Sequence, residues 1–327
     1  MKKECSLGID VGSVSTNVVL LDSDDNVIEK LYLRTSGRPI EAILKGMEAV
    51  AKSHGHSVHI MAAGTTGSGR QLAGTIVGAD IIKNEITAHA AASCRMVPDV
   101  RTIIEIGGQD SKIIFLEEGA VADFAMNTVC AAGTGSFLDR QAARLEIPLE
   151  EFGSYALRST SPVRIAGRCA VFAESDMISK QQSGHSNEDI IAGLCEALVR
   201  NYINNLAKNK DIPGPVMFQG GVAANLGIAA AFEKALRMKL IIPRYYDVMG
   251  ALGAALLAKE EIVSSEKKTI FKGFDSTDGK YSSGSFECKG CANMCEVVQI
   301  QSNGVPIAHW GDRCGKWNSA KNESNVV

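Results

Sequence analysis

Residues 6–21 and residues 102–115 follow one plan: an apolar strand, a polar tip carrying glycine, and a returning apolar strand. The first reads Gly8-Ile9-Asp10-Val11-Gly12-Ser13 into Val14, Ser15 and Thr16; the second reads Glu105-Ile106-Gly107-Gly108-Gln109-Asp110. Strand halves flanking glycine and small polar residues predict a hairpin at each place. Backbone N–H groups and hydroxyls at Gly12, Ser13, Val14, Ser15 and Thr16, and at Gly107 and Gly108, can donate to phosphate oxygens. A carboxylate precedes each tip, and Asp10 stands where it can hold hydrated Mg²⁺. Either hairpin alone is unspecific. Their recurrence predicts two related α/β lobes clamping one nucleotide.

A third glycine turn, Gly220-Gly221, follows the apolar run Val216–Gln219 and leads through Asn225 into a helix. Backbone there can closely approach a ring or a phosphate. Gly250-Ala251-Leu252-Gly253-Ala254-Ala255 reads as a helix of small residues, as a hinge between lobes requires. Gly64–Arg70 lacks the Gly-Lys-Ser/Thr ending of a P-loop and reads as a structural turn near a dimer surface, without a role. His89 and Cys94 read as packing residues of a helix over Ile86–Met96. Ser186–Asp189 has the form of a capping box and starts a helix facing inward through Ile191, Leu194, Leu198 and Tyr202.

Two thiols occupy a distinctive local setting. Cys130 precedes Ala131-Ala132-Gly133-Thr134-Gly135, and Cys169 precedes Ala170-Val171-Phe172-Ala173-Glu174, each at the mouth of a helical run. Unpaired N–H groups at a helix start favour the thiolate, the form that binds metal. Both also read as small core residues, since two cysteines are too few for a tetrahedral site. Two copies of the chain would supply four.

Nine cysteines in a chain whose N-terminus lacks a signal-like apolar run point to reduced thiols or metal ligands in the cytoplasm. The formal charge of −3 argues against a nucleic-acid or membrane-surface partner, and no apolar run has bilayer-spanning length. After a polar stretch, Cys288, Cys291 and Cys295 cluster, with Cys314 following at a distance. A four-cysteine zinc site and a [4Fe–4S] cluster both fit, and three clustered cysteines with a remote fourth is the commoner cluster pattern. The expected organisation is nucleotide-binding lobe I over 1–97 plus 243–262, and lobe II with Cys130 and Cys169 over 98–242. A linker over 263–285, a Cys-rich module over 286–317 and a tail over 318–327 complete it.

The motifs at Gly8–Ser13, Glu105–Asp110, Gly220–Ala223 and Gly250–Ala255 resemble those of the acetate and sugar kinase, heat-shock chaperone and actin superfamily. This resemblance implies a two-lobed ribonuclease-H-like ATPase fold. Within it, Asn127–Phe137 and Cys169–Ser175 resemble the ATP-dependent activators of 2-hydroxyacyl-CoA dehydratases and benzoyl-CoA reductases, over about residues 5–260. The resemblance implies a homodimer sharing one [4Fe–4S] cluster on Cys130 and Cys169 of each subunit. It also implies Mg²⁺-dependent ATP hydrolysis to ADP, with Asp10 and Glu105 organising the metal and Gln109 orienting water. One electron, received from ferredoxin or flavodoxin, would pass to an iron–sulfur dehydratase, reductase or double-cubane partner. Many relatives have lysine where this chain has Asn17, for which Lys112 is a candidate substitute; the Cys-rich appendix also departs from the short activators. A small-molecule kinase or a nucleotide-gated redox sensor on the same scaffold are the rival readings.

Overall fold

The computed structural model describes residues 2–127, 129–274 and 279–317. Two compact units emerge from their described residues, the first drawn from 1–12, 16–83 and 254–327, the second from 13–15 and 84–253. The expected tail over 318–327 lies outside the described residues.

In the first unit, β1 (Lys3–Val11) forms a hairpin with β2 (Ser15–Asp22), which leads into β3 (Val27–Arg34). β4 (Val58–Thr66) and β5 (Ile81–Ile82) complete a sheet of order β3-β2-β1-β4-β5, with β1 antiparallel to β2 and parallel to β4. The near-continuous apolar reading of β1 and β2 follows from burial on both faces. α1 (Pro39–His54) and α2 (Arg70–Val77) complete the local α/β layering, Ile43, Met47, Leu72 and Ile76 joining the core of Leu7, Ile9 and Leu20.

The second unit repeats the scheme. β6 (Thr102–Ile106), β7 (Ser111–Glu117) and β8 (Ala120–Asn127) run antiparallel, and β9 (Val216–Gln219) and β10 (Leu240–Ile241) join in parallel. The resulting order is β8-β7-β6-β9-β10. Its helices are α3 (Glu85–Met96), α4 (Gly135–Arg144), α5 (Leu149–Leu157), α6 (Ala170–Gln182), α7 (Asn187–Leu206) and α8 (Leu226–Leu236). The chain therefore has the expected fold class, a mixed α/β scheme built twice. Ser186 caps α7 as expected, its side chain accepting the Asp189 N–H. The Asp189 carboxylate turns outward to accept from Ser159 and Ser161, at 2.6 and 2.9 Å.

The unit boundary falls at 83/84, so α3 belongs to the second unit and not to the expected lobe I. The reason lies in its buried face. His89 Nδ1 pairs with Gln219 Nε2 at 2.8 Å, and Ser93 donates to Gln219 Oε1 at 3.1 Å. Burial holds the His89 imidazole down at about 4. Because its folded value lies below the unfolded one, the associated stability is complete above about pH 6.5 and disappears as pH falls through about 4. The wild type is expected to lose about 3 kcal/mol across this window that a His89→Asn protein does not lose. Chemical denaturation of both proteins at about pH 7 and about pH 4 checks this.

α9 (Met249–Ser265) packs at backbone distance, as its small residues imply. A Cβ at Gly253 would lie 1.8 Å from Ala88 O. In the first unit, a Cβ at Gly64 of β4 would lie 2.2 Å from Ala254 O.

The expected linker over 263–285 is largely docked. Its first residues end α9, and Thr269 and Ile270 bond the Asp80 carboxylate at 2.8 Å each. Residues 275–278 lie outside the described residues. β11 (Tyr281–Glu287), β12 (Glu296–Ser302) and β13 (Val305–Trp310) form a separate antiparallel sheet. Ile300 is fully buried, and with Val298, Ile307 and Trp310 it packs against the core of the first unit. The C-terminal module thus starts at Tyr281 and is built onto this unit, because its apolar face needs a core to cover it.

Candidate functional site

In the first hairpin, Asp10 pairs in register with Asn17 on one side and Thr66 on the other. The Gly64–Arg70 loop, left without a role by its sequence, closes directly on Asp10 and Val11 in the same unit. Gly69 N–H donates to Val11 O at 2.8 Å, and Ser68 Oγ donates to the same oxygen at 3.2 Å. Gly67 has φ +85, and a Cβ on it would stand 2.4 Å from Asp10 Oδ1. Only glycine meets both demands. A Gly67→Ala protein is therefore expected to displace Asp10 and, if Asp10 holds Mg²⁺ for ATP hydrolysis as the sequence resemblance implies, to lose about tenfold or more in ATP turnover in a steady-state assay.

The tip residues divide. Gly12, Ser13, Val14 and Ser15 are partly or fully exposed. Thr16 is buried, its hydroxyl 3.0 Å from that of Thr35, which itself donates to Gly12 O at 2.9 Å. Thr16 therefore props the tip from beneath and does not present its hydroxyl outward, contrary to its expected role.

In the second unit, Gln109 is exposed at the tip of the second hairpin. Glu105 is buried, with Oε2 2.9 Å from Lys112 Nζ and Oε1 beneath Gly107 and Gly220, where added Cβ atoms would stand 3.4 and 2.7 Å away. This corrects the expectation that Glu105 organises Mg²⁺. Lys112 is equally committed, meeting Asp110 at 3.0 Å and Glu85 at 3.4 Å as well. The three carboxylates hold its ammonium well above the usual lysine range, so Lys112 does not replace the lysine that relatives carry at Asn17. Burial pushes the Glu105 carboxyl up. At the third turn, Gly220 adopts φ +86 and Gly221 starts a short 3-10 turn, while Asn225 Oδ1 accepts from Ile228 N–H at 3.1 Å. The Asn225 side chain thus caps α8, which accounts for its place after the glycines without a ligand.

The segments that carry the two thiols come together. Cys130 Sγ lies 3.9 Å from the carbonyl of Arg168, the residue next to Cys169. Cys130 is the N-cap of the 3-10 turn Ala131–Gly133 and Cys169 that of α6, and neither start has a side-chain cap. Two asparagines that sequence reasoning missed hold this arrangement. Asn127 accepts the Cys130 N–H at 2.9 Å and donates to its carbonyl at 2.8 Å. Buried Asn201 of α7 donates to Arg168 O at 3.2 Å, and its Oδ1 would stand 2.9 Å from a Cβ at Gly133. Asn127, beside Cys130 in a polar turn, was open to recognition as an Asx turn; nothing local marks Asn201. Glu174 of α6 ties to Arg140 and Arg144 of α4. Thr128, inside this segment, lies outside the described residues.

This geometry suits a soft, thiolate-held anionic group: two cysteines on neighbouring segments, each at a helix start without a side-chain cap. It also joins the second hairpin to Cys130. Gly135 and Ser136 N–H donate to Gly107 O and Gly108 O at 2.9 and 2.8 Å.

The C-terminal cysteines are arranged differently. Cys288 N–H donates to Cys295 O at 2.8 Å, and the Cys288 sulfur accepts Trp317 Nε1–H at 3.3 Å and the Gly290 N–H. These donors lower the Cys288 thiol from its ordinary value. Cys314 Sγ lies 3.5 Å from Asp312 Oδ2, and Cys291 is exposed. Among the described residues, no group of three or more His, Cys, Asp or Glu side chains is placed to hold a metal ion, so the four sulfurs do not form one cage here. Also among them, no helix is long and apolar enough to cross a membrane.

Residues 7–258 match the model of the BadF/BadG/BcrA/BcrD ATPase family. The chain is 34% identical over 270 residues to the 2-hydroxyisocaproyl-CoA dehydratase activator of Clostridioides difficile, covering 80% of this chain and 98% of that one. It is 37% identical over 257 residues to the (R)-2-hydroxyglutaryl-CoA dehydratase activating ATPase of Acidaminococcus fermentans, covering 77% and 96%. The solved structure of the Clostridium difficile activator with bound ADPNP superposes with a TM-score of 0.71 at 33% identity, over 80% of this chain and 97% of that one. Cys288, Cys291, Cys295 and Cys314 lie beyond the family match.

Proposed function

The chain belongs to the BadF/BadG/BcrA/BcrD ATPase family, and on that premise we propose that it hydrolyses ATP to activate a partner enzyme by one-electron reduction. The partner class is an iron–sulfur 2-hydroxyacyl-CoA dehydratase, an aromatic-CoA reductase or a double-cubane cluster protein. The observation that carries this reading is the approach of Cys130 to the Arg168–Cys169 segment. A nucleotide-binding scaffold that only phosphorylates a metabolite has no use for two cysteines at uncapped helix starts on neighbouring segments.

Cys130 and Cys169, repeated in a second copy of the chain, would hold a [4Fe–4S] cluster, which when bound supplies a one-electron store of low potential. The helix-start N–H groups offset the negative charge of the thiolates. Backbone donors at Gly12–Ser15, Gly107–Gly108 and Gly220–Gly221 bind the nucleotide, Asp10 holds hydrated Mg²⁺ and exposed Gln109 orients water. Movement of the second tip on hydrolysis passes to Cys130 through the bonds from Gly107 and Gly108 to Gly135 and Ser136. Ferredoxin or flavodoxin supplies the electron in the cytoplasm. Cys288, with Cys291, Cys295 and Cys314, would form a second iron–sulfur or zinc site, supported by the two N–H donors on the Cys288 sulfur.

The test combines oxygen-free protein with a dehydratase of this class, a chemical reductant and ATP. Dehydration is expected only when all are present, with ATP consumed during activation. Equal activation without ATP, or steady ATP turnover that never activates a partner, overturns the proposal.

A further inference from the structure

Three polar side chains share one row of the first unit's sheet. Asp10 of β1 pairs in register with Asn17 of β2 on one side and with Thr66 of β4 on the other. Ile9, Val11, Val18 and Ala63 turn into the core of this unit, so strand alternation sends Asp10, Asn17 and Thr66 to the opposite face. Residues paired directly on one face stand about 5 Å apart at Cβ. Asn17 and Thr66 are buried, 6% and 0% exposed. Among the described residues, Asn17 Oδ1 and Thr66 Oγ1 nevertheless have no hydrogen-bond partner. Arg70, the cation of the adjoining loop, donates to Gly67 O at 3.0 Å and bonds neither oxygen.

Buried polar atoms without a partner are costly and rare, so two of them flanking one carboxylate call for an occupant. The donor set selects its class. A carboxylate, an amide oxygen and a hydroxyl oxygen suit a hard cation and offer an anion nothing. Mg²⁺ gives up its water reluctantly, whereas uncharged oxygens readily replace the water of potassium. Two buried, neutral oxygens therefore fit the larger ion of lower charge. We propose that Asp10, Asn17 and Thr66 hold a monovalent cation of the potassium class beside the first hairpin tip. The carboxylate has two oxygens and serves this ion together with hydrated Mg²⁺. A positive charge there offsets phosphate charge at Gly12–Ser15 and so speeds ATP hydrolysis; this rests on the reading of that tip as a nucleotide site.

The test uses the full chain, purified without oxygen, at fixed Mg²⁺ and constant ionic strength, with potassium or choline as the monovalent cation. ATP turnover of the wild type is expected to be about tenfold or more faster in potassium. Asn17→Leu should be slow in both salts. Asn17→Lys places a tethered ammonium at the same point and should be fast in both. Binding is read separately, without nucleotide, from the thallium-205 resonance of added thallous ion: the wild type broadens it, potassium reverses the broadening, and Asn17→Leu leaves it sharp. Thr66→Val, nearly equal in shape, replaces Asn17→Leu should that variant not fold. Equal wild-type turnover in potassium and choline overturns the proposal. So does potassium activation that survives both Asn17→Leu and Thr66→Val, which puts the ion elsewhere. A variant whose only defect is a raised Mg²⁺ requirement overturns it too, by giving the two oxygens to the waters of Mg²⁺. A wild type that turns over no ATP in either salt removes the nucleotide reading of the tip instead, and the thallium resonance still decides the ion site.

Discussion

A Cys169→Ser protein, purified without oxygen, is expected to bind ATP as the wild type does and to activate its partner at least about 100-fold less, because a hydroxyl is a poor substitute for a thiolate on iron. Cys130→Ser should behave alike, since the two residues share one surface. The wild type should carry about two irons per chain from a four-iron cluster shared by two copies, and either variant nearly none at this site. A cubane on the C-terminal cysteines would add about four irons per chain, which Cys288→Ser would remove without abolishing activation, whereas zinc there would leave the iron count at about two. Iron and sulfide analysis with electron paramagnetic resonance makes the measurement. Full activation by Cys169→Ser would remove the chemical basis of the proposed function. Retained phosphoryl transfer to a metabolite by that variant would favour the kinase reading.

The second large effect is structural. Lys112 is buried among Glu85, Glu105 and Asp110 at 3.4, 2.9 and 3.0 Å. Replacing one partner of a buried ion pair strands the other charge, and Lys112→Met should destabilise folding by about 3–5 kcal/mol near neutral pH. The pH dependence distinguishes this from lost packing. Glu105, already pushed up by burial, rises further once the ammonium is gone. A raised carboxyl gives stability that is complete below its unfolded value and lost as pH rises through the folded one. The variant should therefore recover part of its deficit when the pH is lowered from neutral to about 5, because proton uptake by Glu105 removes a stranded charge. Denaturant midpoints for both proteins at the two pH values test it; a deficit constant with pH would point to packing alone.

Much of the architecture was open to local reading. Apolar runs around Gly12 and around Gly107-Gly108 became two hairpins that open two sheets of matching order. Cys130 and Cys169 stand at helix starts, and Ser186 caps its helix. These depend on residues a few positions apart, where strand period and capping chemistry act. Other roles were misread because the deciding partner lies elsewhere in the chain. Thr16 turns inward to Thr35, and the Gly64–Arg70 turn serves Asp10.

The amino-acid order alone therefore settled the repeated α/β plan and the placing of both thiols at helix starts, since each follows from short-range sterics and hydrogen bonding. Folding decided the rest: that Glu105 is neutralised by Lys112, that Gly67 abuts Asp10, that Asn201 spans both thiol segments, and that the C-terminal sheet rests on the first unit. Those contacts join residues distant along the chain. Which carboxylate is buried against which cation is set by topology and dielectric environment, and no local pattern encodes either.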